Sequence, residues 1–204
     1  MFALFSGRAV RALLLAACTL LAACGEKTAN WTLYDIKGHL PDLRFELNGA
    51  HGKTVSSDEL KGETVLLFFG YASCPDVCPT TMAQLTAVLQ QLGEQAKNVR
   101  IVFVSVDPHR DTPDVLQAYV DAFNNQAIGV TGSEKQIADL ARRYRVAYQI
   151  EKPRPGDSAE IYDVTHSRGV YIFDNAGKAR LLASDTDSID AMVKDLRQLI
   201  ALTS

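Results

Sequence analysis

The sequence predicts an α/β fold, a mixed central sheet with helices on both faces. Three observations carry this expectation. Thr64 to Phe69 and Val99 to Val106 are continuous apolar runs, the pattern of strands covered on both sides. Each is followed by a segment with apolar residues at helical spacing. The strand–helix alternation then gives way to a hairpin and a last helix, which adds antiparallel pairing to a parallel core. A chain of 204 residues, 47% hydrophobic and 22% charged, suits one globular domain with a sizeable core. No internal repeat or second domain is visible. The net charge is −3, with no Lys/Arg run and no basic stripe, so a nucleic-acid partner is excluded from the reading.

The N-terminus reads as a targeting segment. Arg8 and Arg11 precede an almost wholly apolar stretch, Ala12 to Ala23. That stretch is short for a membrane span and typical of a signal h-region. It ends in Leu21-Ala22-Ala23-Cys24-Gly25, which resembles the bacterial lipobox, in which the Cys becomes the lipid-bearing first mature residue. Leu15-Ala16-Ala17-Cys18 also fits, but Cys18 leaves a shorter apolar run, so Cys24 is preferred. An uncleaved anchor is the alternative, and either places the domain at a membrane outside the cytoplasm. The expected division is a signal peptide over 1–23, a tether over 24–39 and the domain over 40–204. Removal of 1–23 takes away only Arg8 and Arg11, making the charge −5. Trp31 and Tyr34 are the tether residues able to dock on the domain.

Within the domain, Leu40 to Leu47 reads as a strand. Asn48-Gly49-Ala50-His51-Gly52 is the turn of a hairpin whose return is Thr54-Val55. Ser57 to Gly62 reads as one helical turn stopped by glycine. After the strand Thr64 to Phe69, Met82, Leu85, Leu89 and Leu92 mark a helix with Pro79 in its first turn and Gly93 as its stop. The strand Val99 to Val106 leads into the loop Asp107 to Pro113. Leu116, Tyr119, Val120 and Phe123 then mark a second helix. Ile128 to Thr131 is a short strand. Ser133 with Gln136 forms a capping box for a helix whose inner face is Ile137, Leu140, Ala141 and Tyr144. Val146 to Ile150 is strand-like. Glu151 to Glu160, with Pro153, Pro155 and Gly156, is a solvent-facing excursion. Gly169 to Phe173 and Ala179 to Ala183 form a hairpin about Asp174-Asn175-Ala176-Gly177. Ser188 caps a last helix with Ile189, Met192, Val193, Leu196, Leu199 and Ile200 inward.

The chemistry sits between the first buried strand and its helix. Cys74 and Cys78 lie there, near a helix N-terminus, where thiolates are favoured. With Cys18 removed and Cys24 lipidated, they are the only thiols of the mature domain. A disulfide is permitted outside the cytoplasm. Closing so short a loop removes little entropy from the unfolded chain, so a structural staple is disfavoured. Redox exchange or metal binding remains. In a parallel sheet, active loops gather at the C-terminal ends of strands, so the cysteine loop and the Asp107–Pro113 loop are expected to be neighbours. Two sulfurs rarely complete a metal site, and a third ligand is needed. His39 and His51, in or beside turns, read as solvated. His166 reads equally as a ligand or as an ordinary core or surface histidine. Thiolates with imidazole suit copper(I), copper(II) or zinc.

Four blocks carry a family resemblance. Gly70-Tyr71-Ala72-Ser73-Cys74-Pro75-Asp76-Val77-Cys78-Pro79-Thr80-Thr81 resembles the signature of the Sco/SenC copper chaperones. Ser105-Val106-Asp107-Pro108-His109-Arg110-Asp111-Thr112-Pro113 matches a second block. Thr131-Gly132-Ser133 and Thr165-His166-Ser167 match a third and fourth. The resemblance spans Leu40 to Leu199. It implies a thioredoxin-like fold with an added N-terminal hairpin. It implies one copper ion on Cys74, Cys78 and His166, delivered to the binuclear copper centre of cytochrome c oxidase. Some members are described instead as thiol-disulfide reductases acting through the same two cysteines. The implied partners are the copper-receiving oxidase subunit and, beyond it, other periplasmic copper carriers or thiol reductants. The implied location is the periplasmic face of a bacterial membrane, the inner membrane preferred.

The chain departs from the family pattern twice. Thr165 stands where many relatives have an acidic residue before the histidine, with Asp163 two further back. His109 stands where Glu is usual, and reads either as an extra ligand, if the loops meet, or as a solvated residue, the preferred reading. Asp76 is expected to be a helix-start carboxylate rather than a ligand. Tyr71 either lines the site or packs. Three functions follow: a copper chaperone, favoured; a membrane-tethered thiol-disulfide oxidoreductase, with peroxide reduction as a variant; and a redox or copper sensor.

Overall fold

The computed structural model describes residues 29–153, 156, 158 and 162–203. Cys18, Cys24, the whole of 1–23 and parts of the 151–160 excursion lie outside the described residues. The core is a six-stranded mixed sheet. Its strands in chain order are β1 (Tyr34–Asp35), β4 (Thr64–Gly70), β5 (Val99–Ser105), β6 (Ala127–Val130), β9 (Val170–Phe173) and β10 (Ala179–Ala183). In space the order is β1-β10-β9-β4-β5-β6. β4 pairs in parallel with β5, and β5 with β6, while β9 joins the other edge of β4 antiparallel. Two short ribbons lie beside the sheet: β2 (Glu46–Asn48) with β3 (Thr54–Ser56), and β7 (Tyr148–Ile150) with β8 (Val164–His166).

Every residue of β4 is buried, as expected of a run with no polar alternation, and β5 is buried throughout apart from a half-buried Arg100. Four helices complete the fold: α1 (Val77–Leu92), α2 (Pro113–Asp121), α3 (Glu134–Arg143) and α4 (Ile189–Thr203). The inner faces expected for α1 and α3 are all buried. Ser133 and Gln136 form the expected reciprocal cap, and Gly93 ends α1 at positive φ. α1 packs against α4. The architecture is thioredoxin-like, with an added N-terminal hairpin.

Three boundaries differ from the sequence reading, each for a physical reason. The expected strand over Leu40 to Leu47 contracts to Glu46–Asn48, because only these residues meet a pairing edge. Residues 31–39, read as the end of a tether, belong to the domain. Leu33 and Ile36 are buried, and Tyr34–Asp35 pair with β10. Asp195 of α4 fixes this entry: its Oδ2 accepts the backbone N–H groups of Thr32 at 2.7 Å and Leu33 at 2.8 Å. Trp31 packs on the core, whereas Tyr34 stays exposed. Finally, α1 starts at Val77, so Cys78 lies inside its first turn rather than on the loop before it.

Candidate metal centre

β4 and α1 deliver the two sulfurs. β4 runs into the cysteine loop at Gly70, where no side chain fits. A Cβ there would lie 2.8 Å from Cys78 Sγ and 3.0 Å from two atoms of the Phe103 ring. The turn that follows closes with Cys74 N–H donating to the Tyr71 carbonyl at 3.2 Å. Asp76 occupies the N-cap position of α1, but its carboxylate makes no capping bond and points to solvent. It is therefore at the helix start, as expected, and away from the sulfurs' ligand set. Cys78 is fully buried and Cys74 half-buried; both are free thiols.

The expected meeting of the two loops is observed. Val106 N–H donates to the Gly70 carbonyl at 2.8 Å. Asp111, itself buried, accepts Ala72 N–H at 2.9 Å and the Ser105 hydroxyl at 2.6 Å. Burial pushes the Asp111 carboxyl up, against the opposing pull of those two donors.

The third group comes from the β7–β8 ribbon. His166 ends β8, and its Nε2 lies 3.4 Å from Cys78 Sγ. Nδ1 lies 2.9 Å from the Ser167 carbonyl. A carbonyl only accepts, so Nδ1 carries the proton and Nε2 presents its lone pair to the sulfurs. The orienting partner is thus a backbone carbonyl, which answers for the acidic residue missing at Thr165. Phe68 and Tyr71 each meet the imidazole edge-on, with ring centres 6.0 Å away. Burial holds the His166 pKa down, which favours the neutral, ligating ring.

The two thiols are tuned in opposite directions. Burial pushes Cys74 up. Donors outweigh it: the backbone N–H groups of Asp76 and Cys78, then the Cys78 thiol and the Tyr71 hydroxyl, which together leave it below its ordinary value. Cys78 is raised, by burial first and by the neighbouring Cys74 after it. Tyr71 is pushed up to about 12, mainly by burial and then by the Cys74 charge.

The ligand atoms of Cys74, Cys78 and His166 all lie within 4.8 Å of one another. Among the described residues this is the one group of three or more potential ligands so placed. The structure does not bring the other histidines to it. His39 and His51 are exposed, and His51 faces Asp114. His109 Nε2 meets Glu134 Oε1 at 2.8 Å in an open cleft of about 900 Å³ that Ser73, Ile150 and Tyr162 also line. Sequence reasoning missed Asp111 and the Ser167 carbonyl. The first left a signal, a carboxylate in a loop at the end of a buried strand. The second left none, since every residue has a carbonyl.

A thioredoxin-like fold with two unequal thiols and an oriented imidazole defines a thiol-based metal-binding or redox protein. The SCO1/SenC family pattern matches residues 37–201. An SCO2-like protein of Rickettsia felis is 38% identical over 134 residues, 66% of this chain and 64% of that one. The mitochondrial SCO1 homolog 1 of Arabidopsis thaliana is 37% identical over 159 residues, 76% of this chain and 46% of that one. Among solved structures, copper-bound ScoI of Bradyrhizobium japonicum matches with TM-score 0.68 and 33% identity, covering 78% of this chain and 98% of that chain. Apo Sco1 of Thermus thermophilus matches with TM-score 0.72 and 34% identity, covering 84% and 99%. The chain belongs to the SCO1/SenC family. It spans less than two thirds of the length of the Rickettsia felis and Arabidopsis thaliana relatives.

Proposed function

We propose that the protein carries one copper ion on Cys74 Sγ, Cys78 Sγ and His166 Nε2 and delivers it to the binuclear copper centre of cytochrome c oxidase. The observation that carries the reading is the convergence of two sulfurs and one unprotonated imidazole nitrogen within 4.8 Å. The donor set fits the ion: it is soft, and hard oxygen-preferring cations have no carboxylate in the group. The copper-bound relative from Bradyrhizobium japonicum supports the choice of metal. Copper here is cargo. Cys74, half-buried and thiolate-prone, is the side of the site from which a receiving protein gains access. Cys78 and His166 hold the ion from within. The receiving partner is the oxidase subunit bearing the copper centre, with other periplasmic copper carriers or thiol reductants as further partners. Lipid on Cys24 holds the domain to the periplasmic face of a bacterial membrane, the inner membrane by preference. No helix among the described residues is long and apolar enough to cross a membrane, which leaves the anchoring to the N-terminus in this reading.

The test is copper titration of the reduced protein against a competing chelator. The parent takes up one equivalent; Cys74→Ala, Cys78→Ala and His166→Ala each weaken binding by about tenfold or more, one lost ligand bond being worth at least about 1.4 kcal/mol. Stoichiometric, equally tight binding by His166→Ala overturns the three-ligand reading.

One observation favours a second reading, thiol-disulfide exchange: the more accessible of the two thiols is the one with the lowered pKa. The Cys74 thiolate would attack a partner disulfide. Cys78 would resolve the mixed disulfide, leaving a Cys74–Cys78 bridge and a reduced partner, two electrons having passed. Exchange needs no imidazole, so His166→Ala separates the readings: it weakens copper binding by about tenfold or more and spares disulfide reduction.

A further inference from the structure

We propose that Arg110 is a positioning residue that clamps the His166-bearing ribbon against the cysteine loop. The ribbon needs such a device. Among the described residues β7 and β8 pair only with each other, over Tyr148↔His166, Gln149↔Thr165 and Ile150↔Val164. Isolated two-stranded pairs are marginal in water. Among the described residues, no strand of the central sheet pairs with β8.

Arg110 supplies the missing tie from the loop after β5. Its Nη1 donates to the Tyr162 carbonyl at 3.0 Å, two residues before β8 begins. Its guanidinium lies 3.8 Å from the centre of the Tyr162 ring, a close stacking distance. Its Nε donates to Asp107 Oδ2, and Asp107 Oδ1 accepts the Tyr162 hydroxyl at 2.7 Å. Asp107 is fully buried, so a paired guanidinium and phenol are what make its charge tolerable there. Tyr162 is thus gripped by its carbonyl, its ring and its hydroxyl, all from one loop.

The same guanidinium reaches the other half of the site. It sits 5.6 Å from the centre of the Tyr71 ring, and Tyr71 in turn meets the His166 ring edge-on and turns its hydroxyl to Cys74. One side chain therefore touches the segment leading to Cys74 and the segment leading to His166. Lysine cannot replace it, because the stack, the carbonyl bond and the carboxylate bond use a planar fork. The consequence for copper rests on the three-ligand reading; the clamp itself does not.

The test begins with the metal-free protein and residue-resolved hydrogen exchange. In Arg110→Ala, ribbon amides of Tyr148 to Ile150 and Val164 to His166 should exchange at least about tenfold faster than in the parent, as a local opening. Amides of β4 and β5 should keep parental rates. Unchanged ribbon exchange, or equal acceleration throughout β4 and β5, overturns the proposal. Tyr162→Phe deletes one hydroxyl and should give a smaller acceleration at the same amides; it decides by the same criterion if Arg110→Ala does not fold. With copper(II) bound, nitrogen coupling from the imidazole should weaken in Arg110→Ala. It should persist in Arg100→Ala, which breaks the Glu63 ion pair at the opposite end of β5. Undiminished coupling in Arg110→Ala counts against the clamp. Absence of imidazole coupling in the parent instead removes the three-ligand reading, and ribbon exchange still decides the clamp.

Discussion

The two halves of the site are built differently. Cys74 and Cys78 come from the junction of β4 and α1, where β4 is buried along its whole length and hydrogen-bonded on both edges. His166 comes from a three-residue strand of a two-stranded ribbon. The first half is over-determined by the core. The second depends on a few side chains, among them Arg110, Asp107 and Tyr162. On the proposed copper-carrier reading, this division would let the thiolates keep their spacing while the third donor is withdrawn. Three measurements bear on that contrast.

The largest effect is in the rigid half. Phe68 is fully buried in the middle of the sheet, edge-on to both Phe103 and His166. Phe68→Ala should destabilise the fold by about 3–5 kcal/mol in chemical denaturation. Val164 is the buried residue of β8. Val164→Ala removes two methyl groups, worth about 1.5 kcal/mol if the ribbon unfolds with the core at roughly 0.8 for each carbon, and should cost clearly less than that globally if the ribbon opens locally. A full global cost of about 1.5 kcal/mol would break the contrast, because the ribbon would then be as much a part of the cooperative core as β4.

The halves are also unequally legible in the sequence. The apolar run into Gly70, the paired cysteines and the helical spacing after Pro79 are local patterns, and they suffice to place the first half. β8 has no such pattern. Val164, Thr165 and His166 form a strand only because Tyr148, Gln149 and Ile150 lie opposite, a pairing that three residues on each side cannot announce. His166 enters the sequence reading through family resemblance, not through its neighbourhood. Thr32, Leu33 and Asp195 teach the same lesson elsewhere: residues read as tether join the domain because a buried carboxylate more than 160 positions away accepts their N–H groups. Long-range polar contacts leave no periodicity to read.

A smaller effect, in rate rather than stability, sharpens the contrast from the sulfur side. A folded-state pKa below the ordinary value means more thiolate at a given pH, so Cys74 alkylation should reach half its plateau rate below the usual thiol range. Cys78 is raised and buried, and it should remain unmodified at neutral pH over the same period. Mass mapping of the metal-free protein with a limiting alkylating agent distinguishes them. Because His166 Nε2 lies against Cys78 Sγ, loosening the ribbon should expose Cys78 and leave Cys74 unchanged. Equal labelling of both thiols in the parent would show that the ribbon does not shield the inner sulfur.

The smallest expected effect belongs to His109, for which the sequence allows a role as an extra ligand. The structure occupies it with Glu134 on an exposed cleft, both side chains more than half accessible. An ion pair that open contributes little, because water and salt screen it and two mobile side chains must be ordered. His109→Ala should therefore bind one copper with an affinity within about twofold of the parent, well inside the roughly tenfold that about 1.4 kcal/mol of lost ligand energy would produce. Chelator competition on the reduced protein measures this directly. A tenfold loss would mean that His109 leaves Glu134 to join the ion when it binds. The loop after β5 would then supply a donor of its own, and the ribbon would no longer be the sole source of imidazole.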